Sequence, residues 1–183
     1  MKKALLLLPL LLAACSPTRV VSTDAQPGVD FTTYKTYNFL DVTARSEAVL
    51  PGPGGVTYQL KEAVAAQLQR RGYRQAAQPE LWVNIGVVVQ DRVQTRQTDI
   101  RDAPRYIGQR NYHWQSQEVV VNQYEEGTAT VEIVDAARNE RIWSGAVAST
   151  ITRNSDKLEK RIEQAMESLF ARYPVPPTQQ RQP

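Results

Sequence analysis

The chain has 183 residues, of which 42% are hydrophobic and 22% charged, and its formal net charge is +3. That charge falls to +1 when residues 1–14, which contain Lys2 and Lys3, are removed. So small an excess excludes the basic stripe that a nucleic-acid-binding protein needs. The single cysteine excludes a disulfide within the chain, so the hydrophobic core must hold the fold.

The beginning of the chain has the features of an export signal. Lys2 and Lys3 precede an apolar run at residues 4–14, about half the ~20 residues that a membrane-spanning helix needs. A positive start before a short apolar run is typical of a secretory signal peptide. We therefore predict that residues 1–14 are removed on export.

The run ends in Leu12-Ala13-Ala14-Cys15, which resembles the lipobox of bacterial lipoproteins. The resemblance implies that Cys15 becomes the first mature residue, with a diacylglycerol thioether and an N-acyl chain, and we expect no other cofactor. Several acyl chains anchor a protein stably, whereas one does so only marginally. Ser16 follows in place of the aspartate that retains enteric lipoproteins in the inner membrane. We therefore predict a lipid anchor on the periplasmic face of the outer membrane; the alternative is an ordinary signal with an incidental Cys15.

The first half of the mature chain predicts a strand and a helix. A leading segment at 19–31, with a turn at Pro27-Gly28, precedes a strand at 34–40 that is rich in β-formers. Residues 43–55 contain too much proline and glycine for regular structure. An apolar four-residue spacing from Val56 predicts a helix that ends at Gly72, with Tyr73 folding back in a Schellman motif.

The second half predicts three strands and a second helix. Residues 81–89 alternate as a strand, 95–112 form a long loop, and 118–135 form one long strand that is bent or bulged at Gly127. After a hairpin loop at 136–140, residues 141–152 return as an antiparallel strand. Asp156 with Glu159 predicts a capping box for the second helix, which Pro174 stops.

These elements predict an α+β two-layer sandwich, in which an antiparallel-rich sheet of about four strands carries two helices on one face. The domain boundaries follow from the same elements. We predict a signal peptide at 1–14, a lipidated tether at 15–18, a single domain at 19–174 and a disordered tail at 175–183.

Six short motifs resemble the lipoproteins that carry domain of unknown function 4136. The motifs are Asp30-Phe31, Tyr34-Lys35-Thr36-Tyr37, Glu126-Gly127-Thr128, Val131-Glu132-Ile133-Val134-Asp135, Trp143-Ser144-Gly145 and Tyr173-Pro174. This chain departs from the family pattern at Ser144, where a basic residue is frequent, and at 105–114, where the family has a glycine-rich aromatic segment. The family has no established catalytic residues, so the resemblance implies none here.

Residues able to support catalysis are scarce. His113 is the only histidine, which argues against a zinc site or a Ser-His-acid triad. Glu125 and Glu126 are strand neighbours and point to opposite faces, while Glu118 and Glu132 could share a face only if the chain turned back at Gly127. We therefore predict a non-catalytic envelope accessory factor; the alternative is a hydrolase acting on envelope glycan or peptide.

The predicted loop is the candidate partner-binding segment. Loops longer than ~12–15 residues in compact domains are usually functional or disordered, and this one combines arginines with aromatic residues, as binding hot spots do. Its positive charge suits an acidic periplasmic or outer-membrane protein, or the carboxylates of peptidoglycan stems; the alternative is a solvated hairpin tip. The candidate residues are Arg101, Arg105, Tyr106, Arg110, Tyr112 and Trp114.

Overall fold

A six-stranded sheet and two helices make up the part of the chain that the structure, a computed structural model, describes: residues 18–40, 55–98, 115–152 and 154–178. The predicted signal peptide and Cys15 lie outside these residues. In chain order the elements are β1 (Thr18–Ala25), β2 (Thr36–Phe39), α1 (Val56–Gln69), β3 (Arg74–Gln75), β4 (Leu81–Gln97), β5 (Glu118–Asp135), β6 (Glu140–Thr150) and α2 (Ser155–Phe170).

The strands are ordered β1-β6-β5-β4-β2-β3. The first four pair antiparallel with one another, whereas β2 is parallel to both β4 and β3. The α+β class is therefore confirmed, but the prediction of about four antiparallel-rich strands was inexact, because six strands form a mixed sheet. The additional strands are β1, which is polar and was assigned to the leading segment, and the two-residue β3.

One face of the sheet and both helices share a single buried core. The helices contact each other and also the sheet, so the prediction that they lie on one face agrees with the packing. Alternate residues of the strands point into this core, as the period of two requires. The largest fully buried side chains include Leu81 and Val83 of β4, Val131 and Ile133 of β5, Trp143 of β6, Leu68 of α1, and Met166, Leu169 and Phe170 of α2.

The ends of the helices follow local hydrogen bonding. Gly72 has a φ of +89°, and the Tyr73 N–H donates to the Leu68 carbonyl at 3.2 Å, which confirms the predicted Schellman motif. At the start of α2 the predicted capping box was wrong. Asn154 is the N-cap, and its Oδ1 accepts from the Lys157 N–H at 2.9 Å. Asp156 already lies inside the first turn, where it cannot occupy the extended N-cap conformation.

The long β5 strand is confirmed, but its irregularity is not at Gly127. Gly127 pairs in unbroken register with Val89 on β4 and Ser149 on β6. The register shift lies where Gln94 faces Asn122 and Thr95 faces Val120, which leaves Val121 as the extra residue.

Strand β4 also extends to Gln97, so the predicted loop does not begin at Thr95. At the other end of the chain, Val175 and Thr178 of the predicted tail hydrogen-bond to Arg71 and Arg70. Thr18, which was assigned to the tether, is the first residue of β1.

Gly145 tests the packing between β6 and α2. A Cβ on this glycine would lie 2.7 Å from Leu169 Cδ1 and 2.7 Å from Trp143 Cη2, both of which are in the buried core. We expect Gly145→Ala to lower the free energy of unfolding by about 1–3 kcal/mol, because the core must shift to admit the methyl group. Urea unfolding would measure this change.

Gly86→Ala is the matched control, because nothing lies within 4 Å of its Cβ position on β4. We expect its midpoint of unfolding to stay close to that of the wild type. Equal midpoints for the two variants would contradict the packing of Leu169 and Trp143 around Gly145.

Candidate functional site

Strands β4 and β5 project beyond the rest of the sheet. The pairing of β5 with β6 ends at Glu126 and Thr150, and β2 pairs with β4 only as far as Val83, but β4 and β5 stay paired out to Gln97 and Glu118. We call residues 90–97 with 118–125 the distal ribbon. Its eight residues per strand span about 27 Å at ~3.4 Å per residue. Among the described strands, each strand of the ribbon has only the other as a neighbour.

The face of the distal ribbon that continues the helix-covered side of the sheet is acidic. Asp91 lies on the same side of β4 as the buried Leu81 and Val83, and it pairs directly with Glu125 on β5. Glu118 lies on this side as well, opposite Gln97. We call Asp91, Glu118 and Glu125 the acidic face.

The opposite face is basic. Arg92 of β4 and Arg19 at the start of β1 converge on Glu126, with Nη2–Oε1 distances of 3.1 and 3.2 Å. The Glu126 side chain is 13% exposed, and its single carboxylate pairs with both guanidinium groups. Arg96 lies farther along the same side of β4, opposite Val119. We call Arg19, Arg92, Arg96 and Glu126 the basic face.

Apolar side chains accompany the charges on both faces. On the acidic side Val89, Val93 and Val120 are 40%, 53% and 56% exposed, and on the basic side Val88 is 57% exposed. A hollow of about 610 Å³ lies against the ribbon, lined in part by Asp91, Glu125 and Ile151. The ribbon thus offers two surfaces that mix aliphatic and charged groups, as protein interfaces do.

A second titratable cluster fixes the β5–β6 turn. Asp135 accepts hydrogen bonds from the Tyr34 hydroxyl at 2.7 Å, from Arg138 Nε at 3.0 Å, and from the N–H groups of Ala137 and Arg138 at 2.9 Å each. Burial alone would raise the pKa of Asp135, but the hydrogen bonds from Tyr34 and Arg138 outweigh it and lower the pKa to about 2. This carboxylate is therefore a structural acceptor and a poor proton donor.

The cluster predicts an acid-sensitive contribution to stability. The ordinary pKa of an aspartate is 3.8 and that of folded Asp135 is about 2. The contribution is therefore complete above about pH 5 and is lost progressively as the pH falls through 2. A shift of this size corresponds to about 2 kcal/mol. We expect Asp135→Asn to lose this part of the pH dependence, measured by urea unfolding between pH 6 and pH 2. Asp24→Asn, a substitution of an exposed aspartate, is the control. If the stability of Asp135→Asn falls with pH as steeply as that of the wild type, Asp135 is not the source of the acid sensitivity.

The carboxylates considered from the sequence are not brought together. Glu125 and Glu126 lie on opposite faces of β5, as predicted, and so do Glu118 and Glu132. Glu132 accepts from Asn84 Nδ2 at 3.1 Å and from Arg141 Nη1 at 3.2 Å. In the described ranges no three His, Cys, Asp or Glu side chains are grouped so that they could hold a metal ion.

The predicted site residues themselves lie outside the described residues. This applies to Cys15 and to the partner-binding candidates Arg101, Arg105, Tyr106, Arg110, Tyr112 and Trp114, as well as to His113. The sequence reasoning missed the two charged faces. The sequence feature that comes nearest to predicting these faces is the run of arginines from Arg92 onward, because Arg92 and Arg96 lie in β4.

Comparisons with known proteins address the family and the fold. The family described as domain of unknown function DUF4136 matches residues 21–175. No curated protein matches the sequence significantly.

Among solved structures, a PDZ domain protein from Parabacteroides distasonis ATCC 8503 is similar, with a TM-score of 0.51 and 12% identity over 89% of this chain and 36% of that one. The chain thus spans about a third of that protein, and at this identity the likeness concerns the fold alone. PelC from Paraburkholderia phytofirmans, crystallised as a dodecamer, aligns with a TM-score of 0.44 and 15% identity over 85% of this chain and 98% of that one.

Proposed function

Since the chain belongs to the DUF4136 family, which is defined without a function, we propose a role from its own residues. The protein is a lipid-anchored accessory factor on the periplasmic face of the outer membrane. It binds another envelope component, a protein or peptidoglycan, and does not catalyse a reaction. The lipobox-like sequence at Cys15 and the position of β1 support this proposal.

The observation that carries the proposal is the short distance between the anchor and the fold. Only Ser16 and Pro17 separate Cys15 from Thr18, the first residue of β1, so the tether spans at most about 11 Å. Thr18 pairs with Ser149, which pairs with Gly127 at the root of the distal ribbon. A lipid on Cys15 would therefore hold the domain close to the membrane at the end from which the ribbon projects.

The described ranges contain no helix that is long and apolar enough to cross a membrane. The residue after Cys15 concerns which membrane would hold the proposed anchor. Ser16 is a residue that, in the enteric sorting pattern, favours transfer to the outer membrane.

The partners of the buried ionisable groups support a non-catalytic role. Arg71 is 7% exposed and donates to the carbonyl oxygens of Gln67, Phe170 and Val175 at 2.7–2.9 Å. Asp135 is 6% exposed and accepts from the turn that follows it. Catalytic acids and bases are usually groups whose pKa is matched to proton transfer near neutral pH, whereas both of these groups are held in their charged forms by structural hydrogen bonds.

Lipidation is tested at Cys15. We expect Cys15→Ser to abolish incorporation of radiolabelled palmitate, because the thioether needs the thiol and the chain has no other cysteine. Labelling in intact cells, followed by separation of inner and outer membranes, would measure both the lipid and the location. Palmitate incorporation at the wild-type level in Cys15→Ser would refute the proposed anchor.

Partner binding is tested at the arginine and tyrosine residues beyond β4. Replacing Arg101, Arg105 and Tyr106 by alanine should abolish in-cell crosslinking to the partner without changing the melting temperature, because hot-spot side chains of these types dominate interfaces. The matched control removes two exposed lysines and an exposed tyrosine from the helices: Lys157, Lys160 and Tyr58. Equal capture by the two triple variants would show that residues 101–106 do not bind the partner.

A further inference from the structure

We propose that copies of this protein associate head to tail through the distal ribbon, with the acidic face of one copy against the basic face of the next. Lipidation and partner binding are separate proposals.

The two faces carry charges of opposite sign. The acidic face has three carboxylates, whereas on the basic face Arg19 and Arg92 place two guanidinium groups against the single carboxylate of Glu126. The two faces lie on opposite sides of the sheet, so they cannot neutralise one another within one copy. A second copy can bring the complementary face into contact, and charge complementarity of this kind sets the orientation of partners.

Asp91 and Glu125 form an unfavourable pair within one copy. They lie directly opposite each other on β4 and β5, and like charges in that position destabilise a sheet. In the described part of the chain, neither carboxylate accepts a side-chain hydrogen bond or forms an ion pair. The guanidinium groups of Arg92 and Arg19 from a neighbouring copy would relieve the repulsion.

The exposed valines supply the apolar part of the same contact. Val89, Val93 and Val120 flank the carboxylates on the acidic face, and Val88 lies on the same side of β4 as Arg92. Stacked sheets lie about 10 Å apart, which is close enough for side chains from two facing ribbons to meet. Stacking would therefore remove valine side chains from water while the charges pair.

The charges also decide the type of symmetry. Two acidic faces or two basic faces would repel, so an isologous pair built on a single kind of face is disfavoured. Contact between unlike faces is heterologous, and each added copy leaves one face of each kind free. Association therefore continues beyond a dimer.

Crosslinking between introduced cysteines in intact cells tests the proposal on the full-length protein. Val93→Cys places a thiol on the acidic face and Val88→Cys places one on the basic face, both at exposed positions. With a short bismaleimide, we expect a ladder of dimers, trimers and larger species from the double variant V88C/V93C. Each single variant should stay monomeric, while co-expression of the two singles should give dimers only.

The contribution of the acidic-face charges is tested by adding further substitutions to the double variant V88C/V93C. Adding Asp91→Asn and Glu125→Gln should lower the crosslinked fraction at least ~10-fold, as expected for the loss of about 1.4 kcal/mol of association free energy. Adding Lys157→Gln and Lys160→Gln, which changes two charges on α2, should leave the ladder intact. Val120→Cys, also on the acidic face, replaces Val93→Cys if that variant fails to accumulate.

Other outcomes overturn the inference. A monomeric double variant would show that the ribbons do not meet, and dimers from one single variant alone would show an isologous contact. A ladder that survives neutralisation of Asp91 and Glu125 would show that charge does not direct the contact. Crosslinking of the wild-type chain would reveal a free thiol at Cys15, which would refute the lipid anchor and not the association of the ribbons.

Discussion

The arrangement of the helix layer depends on one buried guanidinium. Arg71 follows α1 and donates to the carbonyl oxygens of Gln67 and Phe170, one near the carboxyl end of each helix, and to that of Val175 after α2. The carboxyl end of a helix carries partial negative charge, so these carbonyls compensate a buried cation without a carboxylate. Burial lowers the pKa of Arg71. The guanidinium carbon also lies 5.4 Å from the centroid of the Phe170 ring. Because one side chain joins both helices and the C-terminal segment, the layer packs on the sheet as a unit.

The extent of that layer determines where the sheet is left uncovered. The helices cover the end of β4 and β5 near Leu81 and Ile133, and the residues from Val88 to Val93 are exposed. A two-stranded ribbon is only marginally stable by itself, and among the described strands the distal ribbon has no third strand beside it. The distal ribbon nevertheless keeps an opposed Asp91–Glu125 pair, which costs stability further. A surface that is both weakly supported and internally repulsive is better explained by a binding role than by a role in the fold.

The sequence predicted what depends on local pattern and missed what depends on distant partners. The cap at Gly72, the hairpin at 136–140 and the long β5 strand are encoded by a glycine, a turn and an alternation that lie within a few residues. Strand β1 was missed because its hydrogen bonds come from β6, more than a hundred residues away, and its polar residues show no alternation. The bulge lies at Val121 instead of Gly127 because register is set by the residues of β4 across the ribbon. The basic face was missed for the same reason, since Arg19, Arg92 and Glu126 come from three distant segments.

Strand β1 connects the proposed anchor to the proposed contact between copies. Arg19, which pairs with Glu126 on the basic face, is four residues from Cys15. Lipid on Cys15 would confine every copy to one membrane and hold the basic face near it, which raises the effective concentration of one face for the other. A contact of two or three ion pairs and a few valines is weak between molecules free in solution, because exposed ion pairs contribute little. Between copies confined to a membrane, the same contact needs far less intrinsic affinity. A short lipidated tether would therefore favour the proposed association of the ribbons.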